Sequence, residues 1–171
     1  MELPPLSCGA IYCAAAIALD ETHSALGQVL LLGGVDQDYI STSSVRLVDL
    51  ATGVCTPQAD LPHERSYFAA ARLPDGGIAR AGDADELSTA VMSPSPVQGT
   101  LGAAWGWREL PATSVGRTGC RGCVLSDGRF AVLGGIYNSS CEALTLVGDE
   151  HWSPFPPMHD SQYKFACTAV A

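Results

Sequence analysis

Residues 65–83 read RSYFAAARLPDGGIARAGD, and residues 117–135 read RTGCRGCVLSDGRFAVLGG. Laid over one another, the two stretches need no gap. Arg65 falls on Arg117, Phe68 on Cys120, Ala71 on Cys123 and Leu73 on Leu125. Asp75-Gly76 falls on Asp127-Gly128, Ile78 on Phe130, and Gly82-Asp83 on Gly134-Gly135. A chain that holds one register twice repeats one supersecondary unit. Such units stack on one another, because none buries its apolar faces alone.

A looser copy precedes these two. Ala14 to Leu19 is its first apolar segment, and Val29-Leu30-Leu31-Leu32 runs into Gly33-Gly34 after a longer connection, Asp20 to Gln28. The glycines at 33, 82 and 134 therefore recur at about fifty residues, a period of repeat architectures. A further copy starts at Tyr163-Lys164-Phe165-Ala166-Cys167. The approximate units are 10–62, 63–111 and 112–161, with the start of another at 162–171.

Each unit reads as four strands. Phe68 to Leu73 is a short apolar strand, and the Asp-Gly that follows it is a hairpin signal, because both residues tolerate positive φ. The second strand, as in Phe130-Ala131-Val132-Leu133, is apolar throughout and predicts cover on both faces. A third strand such as Val45-Arg46-Leu47-Val48-Asp49 alternates, and Ala51-Thr52-Gly53 turns the chain. The fourth, around Cys55 or Trp152, leads to Leu61-Pro62, Leu110-Pro111 and Pro156-Pro157. With no stretch of helical periodicity, the chain is expected to be all-β.

An apolar strand ending in paired glycines, with a tryptophan further on, resembles the kelch repeat. The glycine pair stands as Gly33-Gly34 and Gly134-Gly135 and is altered to Gly82-Asp83. The tryptophan is matched by Trp152 and Trp107, while Cys55 takes its place in the first copy. The family's tyrosine is absent, with Val48 and Thr145 at the matching positions. The resemblance implies an all-β, kelch-type β-propeller, here a partial ring of about three four-stranded blades. Since kelch propellers commonly close with five to seven, it also implies that the remaining blades come from a longer chain or from self-association.

Composition fits a folded domain. Of 171 residues, 47% are hydrophobic and 16% charged, and 18 glycines and 11 prolines suit short strands and tight turns. The formal charge of −9 repels phosphate backbones and anionic lipid, which argues against nucleic acid and membrane partners. A basic protein segment suits that field better, although solubility alone also accounts for it. The N-terminus Met1-Glu2-Leu3-Pro4-Pro5 lacks a basic targeting region. Seven cysteines at irregular spacing do not read as a disulfide framework, so a reducing, cytoplasmic setting is expected. Asn138-Ser139-Ser140 fits a glycosylation acceptor, which matters only in a secreted protein.

The resemblance places the candidate site on loops that open on one side of the ring. The loops after the glycine pairs carry Asp36, Asp38 and Tyr39, then Asp83, Asp85 and Glu86, then Tyr137 and Asn138. The loops entering each first strand carry His63, Glu64 and Arg65, then Ser114 and Arg117, then His159, Asp160 and Tyr163. Hydrogen-bonding and aromatic residues on short loops held by a rigid sheet are the usual material of partner sites. Arg65 and Arg117, at equivalent positions, could present guanidinium forks to a carboxylate. Their recurrence favours the other reading, pairing with neighbouring backbone or with Asp83 or Asp85. Cys120 and Cys123 form C-x-x-C, but without a second pair they read as core residues and not as a zinc site. His63 and His159 are expected to be solvated rather than to hold a metal, and the tryptophans to pack between blades. No cofactor is expected.

Two function classes follow. The first is a binding or scaffold module with a protein or peptide partner. In the kelch family such propellers often recognise substrates for ubiquitin ligases. The alternative is part of a propeller enzyme, a copper-radical oxidase or a sugar-processing enzyme. The resemblance implies for that oxidase a crosslinked tyrosine and cysteine with histidine ligands, a set that cannot be assigned here.

Overall fold

A computed structural model describes residues 5–7, 11–12, 14–19, 27–82, 87–95 and 104–167; for 93–95 and 104–105 it describes the backbone alone. The described residues form twelve strands and no helix. They are β1 Ala15–Leu19, β2 Gln28–Leu32, β3 Val45–Asp49, β4 Cys55–Pro57, β5 Ala69–Arg72, β6 Ile78–Ala81, β7 Thr89–Ser95, β8 Ala104–Leu110, β9 Arg121–Val124, β10 Phe130–Leu133, β11 Cys141–Thr145 and β12 His151–Phe155. Three four-stranded sheets result, β1-β2-β3-β4, β5-β6-β7-β8 and β9-β10-β11-β12, each antiparallel and each in simple chain order.

The chain divides into two compact units, residues 1–66 with the first sheet and 67–171 with the other two. In the second unit β5 packs against β9. The core there joins Ala69, Ala71, Ala79, Ala81, Val91, Cys120, Phe130, Val132 and Leu144. Small residues on β5 and β6 face larger ones on β10 and β11, which lets the two sheets approach closely. Trp152 closes the core edge. Its ring lies 6.2 Å from that of Phe130, and its indole N–H donates to the Pro111 carbonyl at 2.7 Å. A partly buried tryptophan keeps its one donor satisfied in this way.

The hairpins form where Asp-Gly predicts them, but by a different turn. Only the glycines use positive φ, +89° at Gly76 and +86° at Gly128. Asp75 and Asp127 instead accept the N–H two residues on, from Gly77 at 2.9 Å and Arg129 at 3.1 Å. The aspartate acts through its carboxylate, as a side-chain mimic of a backbone turn.

The repeated glycine has a steric cause. At Gly82 an added β-carbon would lie 2.8 Å from the Arg117 carbonyl and 2.8 Å from the Cys120 sulfur. At Gly134 it would lie 2.7 Å from the Gln162 carbonyl and 2.5 Å from the Met158 methyl. Each glycine thus abuts the backbone that enters the following first strand. Both also have positive φ, which L side chains resist. Gly134→Ala is expected to cost about 1–3 kcal/mol, read as a lower denaturation midpoint.

Candidate functional site at the strand-connecting loops

In the first unit, the loop between β2 and β3 folds on Asp36. Its Oδ1 accepts the backbone N–H of Asp38 at 2.9 Å and of Ile40 at 3.0 Å. This small frame holds Tyr39 at φ +61° with 83% of its surface exposed, and Ile40 beside it is 60% exposed. The Tyr39 ring stacks on that of Tyr12, with centroids 6.4 Å apart and planes 8° from parallel. Asp38 is exposed on the same loop. His63 and Glu64 are exposed as well, on the segment after β4.

In the second unit, the β10–β11 loop presents Tyr137 at φ +54° and 96% exposed. Asn138 is spent on its own loop, where its Oδ1 accepts the Ser140 N–H at 2.8 Å. After β12, His159 and Asp160 form a solvent-exposed pair at 3.1 Å, and Tyr163 is 57% exposed. The Lys164 ammonium sits 4.4 Å from the centre of the Tyr67 ring. Asp83, Asp85 and Glu86 lie outside the described residues, as does most of the Asp20–Gln28 connection.

A bulky side chain at positive φ is strained by roughly 1–2 kcal/mol. Four non-glycine residues adopt it among the described residues, Tyr39, Tyr67, Tyr137 and Lys164. Tyr67 and Lys164, with Gly119 at φ +72°, form a backbone relay. The Gly119 N–H donates to the Tyr67 carbonyl at 2.7 Å, and the Lys164 N–H to the Gly119 carbonyl at 2.8 Å. There the strained backbone links the entries of β5 and β9 to the segment after β12. The rings of Tyr39 and Tyr137 project into solvent, that of Tyr39 beside Tyr12.

Both arginines are buried, which corrects their reading as partner-binding forks and agrees with the structural role that their recurrence favoured. Arg65 is fully buried; its N–H donates to the Thr42 carbonyl at 3.2 Å and its carbonyl accepts the Gly34 N–H at 2.8 Å. Arg117 is 1% exposed, and its guanidinium is occupied on all three nitrogens. It pairs with Glu142 Oε1 at 2.7 Å through Nη2 and 3.2 Å through Nε. It also donates to the Gly134 carbonyl at 3.0 Å, the Ser140 carbonyl at 2.6 Å and the Ser140 hydroxyl at 2.7 Å. The Ser114 N–H fills the other Glu142 oxygen at 2.9 Å. Arg117 has no donor left for a carboxylate ligand, and its counter-ion Glu142 belongs to the sheet that Arg117 leads into.

Cys120 is fully buried, and desolvation pushes its thiol up to about 11, with Arg117 pulling the other way. Once unfolded, the thiol ionises near 9. Between those values the unfolded chain loses a proton that the folded one keeps. Stability is therefore full below about pH 9 and falls as pH rises toward 11. Cys120 is expected to contribute a drop of about 1–2 kcal/mol from pH 8 to pH 10.5, read from denaturant midpoints as the amount by which the drop shrinks in Cys120→Ala. Among the described residues no cluster of three or more His, Cys, Asp or Glu side chains could hold a metal ion.

No family model matches the chain, and no curated protein does. Among solved structures it is similar to a fungal alcohol oxidase of the AA5 family in complex with copper. The TM-score is 0.57 at 17% identity, over 89% of this chain and 32% of that one. The chain thus spans about a third of that oxidase's length. Together with the three four-stranded antiparallel sheets, the likeness shows the fold: all-β, three blades of a partial β-propeller. No helix among the described residues is long and apolar enough to cross a membrane.

Proposed function

We propose that this chain is a kelch-type propeller segment whose strand-connecting loops bind a protein or peptide partner. The observation that carries the reading is the pair of tyrosines, Tyr39 and Tyr137, held at positive φ with their rings in water. Beyond the Tyr12–Tyr39 stack, folding gains little from a ring in water on a strained backbone, whereas strain that persists is a mark of sites that act on something else. Tyrosine is also a preferred anchor of interfaces, because one flat side chain supplies large contact area and a polar tip. The −9 charge and the exposed Asp38 beside Tyr39 favour a basic segment as partner. Substrate recognition within a larger complex, such as a cytoplasmic ubiquitin ligase, is the form this reading takes.

The other reading is part of a copper oxidase. A likeness at 17% identity bears on fold alone, and activity depends on sites that many folds can carry. One comparison separates the two. Wild-type protein and the Tyr39→Ala/Tyr137→Ala variant are immobilised, exposed to extract from source cells, and measured for bound copper. The module reading expects a protein retained by the wild type and lost from the variant, which melts at no lower temperature. Stoichiometric copper with oxidation of an alcohol, and no difference in retention, would overturn it.

A further inference from the structure

Cys123 lies on β9, and Cys167 on the segment that follows the third sheet. The Cys167 sulfur lies 3.4 Å from the carbonyl oxygen of Gly122, the residue before Cys123, and each thiol influences the ionisation of the other. Both cysteines are half-buried and free. The repeat explains the meeting. Gly119 and Lys164 are corresponding residues of the backbone relay, so Cys167 corresponds to Gly122. At the preceding junction small residues face each other. A β-carbon added at Gly122 would lie 3.1 Å from that of Ala69 on β5. At the next junction Cys167 takes the place of Gly122 and Arg121 that of Ala69, and Cys123 follows Arg121 two residues on, along the same face of β9.

We propose that Cys123 and Cys167 form a reversible disulfide that staples β9 to the segment after the third sheet. The oxidant is a low-molecular-weight disulfide such as glutathione disulfide. One protein thiolate attacks a sulfur of it, forming a mixed disulfide and releasing one glutathione thiol. The second protein thiolate then attacks the protein sulfur of the mixed disulfide and releases the other. Two protein thiols are oxidised, one small disulfide is reduced, and the two protons pass to the two glutathiones. Burial raises both thiols, Cys167 to about 11, so thiolate is scarce at neutral pH and closure is slow. In a reducing compartment the pair stays open, and an oxidising shift closes it.

Cys120 does not compete, since its sulfur is buried on the core side, 3.9 Å from the Ala81 carbonyl oxygen. The staple closes a loop that spans the whole third sheet, which restricts the unfolded chain. A rise in melting temperature of about 5–10 °C is expected. The test incubates the wild-type chain with glutathione disulfide at pH 8.5, then maps peptides without reduction. The expected result is a Cys123–Cys167 linked peptide that dithiothreitol reverses, with the higher melting temperature. The temperature rise should be absent in Cys123→Ser and in Cys167→Ser but retained in Cys55→Ser. Separate glutathione adducts on the two cysteines, or a link to another cysteine in their place, would overturn the proposal. So would both thiols remaining alkylatable after full incubation.

Discussion

Arg117→Ala is expected to lower the unfolding free energy by about 3–5 kcal/mol, a fall in melting temperature on the order of 10 °C. The reason lies less in the attraction lost than in the charge left behind. Glu142 is 5% exposed, and its counter-ion is Arg117. Without the guanidinium a carboxylate stays buried with only the Ser114 N–H, while the Gly134 and Ser140 carbonyls lose their donor. Arg117→Lys should fall between, since an ammonium keeps the charge but cannot reach all these acceptors from a planar fork. Removing both charges with Arg117→Met/Glu142→Met should cost less than Arg117→Ala alone, because no buried ion remains. Thermal melts of the four proteins check the order. A loss below about 1 kcal/mol for Arg117→Ala would mean that the network is solvated.

The second large effect falls on binding. Replacing Tyr39 and Tyr137 together by alanine is expected to weaken partner affinity roughly a thousandfold, if each ring contributes the 2 kcal/mol or more of an interface anchor. Replacing Tyr137 alone with glycine should weaken binding by that ring's share, roughly thirtyfold, yet raise stability by about 1 kcal/mol, because glycine relieves the positive φ. That opposition is the signature of residues kept for a purpose other than folding. Titration with the isolated partner and thermal melts of the same variants measure both halves. Tyr137→Gly that melts lower and binds normally would return the ring to a structural role.

Much of the fold was legible in the sequence, and the reason is the repeat. β3 and β10 fall on Val45–Asp49 and Phe130–Leu133 as predicted, because their residues carry clear strand patterns and sit between turn signals. The all-β reading and the four-stranded sheets followed from one register seen twice. The turn chemistry was read less well. Asp75 and Asp127 were read as residues that tolerate positive φ, whereas what they supply is a carboxylate that accepts the N–H two residues along the chain.

The site was legible only in part. Loop position placed Tyr39, Tyr137, His63, His159 and Tyr163 at the surface, where they lie. It placed Arg65 and Arg117 there too, although their recurrence favoured a structural role, and both are buried. The missing signal was Glu142, a charge inside the apolar run Cys141-Glu142-Ala143-Leu144. An acid on a buried strand demands a cation, and the repeated arginine was the candidate to supply it. The Tyr12–Tyr39 stack and the strained φ of Tyr137 had no such sign, since a backbone angle held by loop hydrogen bonds leaves no pattern in residue types.

The most direct test of the partner surface places a photo-crosslinking benzoylphenylalanine at Tyr137 or at Val147. Both positions are exposed, 96% and 88%, and they lie beyond opposite ends of β11 in one sheet. Irradiation in source-cell extract should give a discrete protein adduct from position 137 that unlabelled wild type competes away, and none from position 147. Equal adducts from both ends, or none from position 137, would contradict the claim that the tyrosine-bearing loops are where this protein meets its partner.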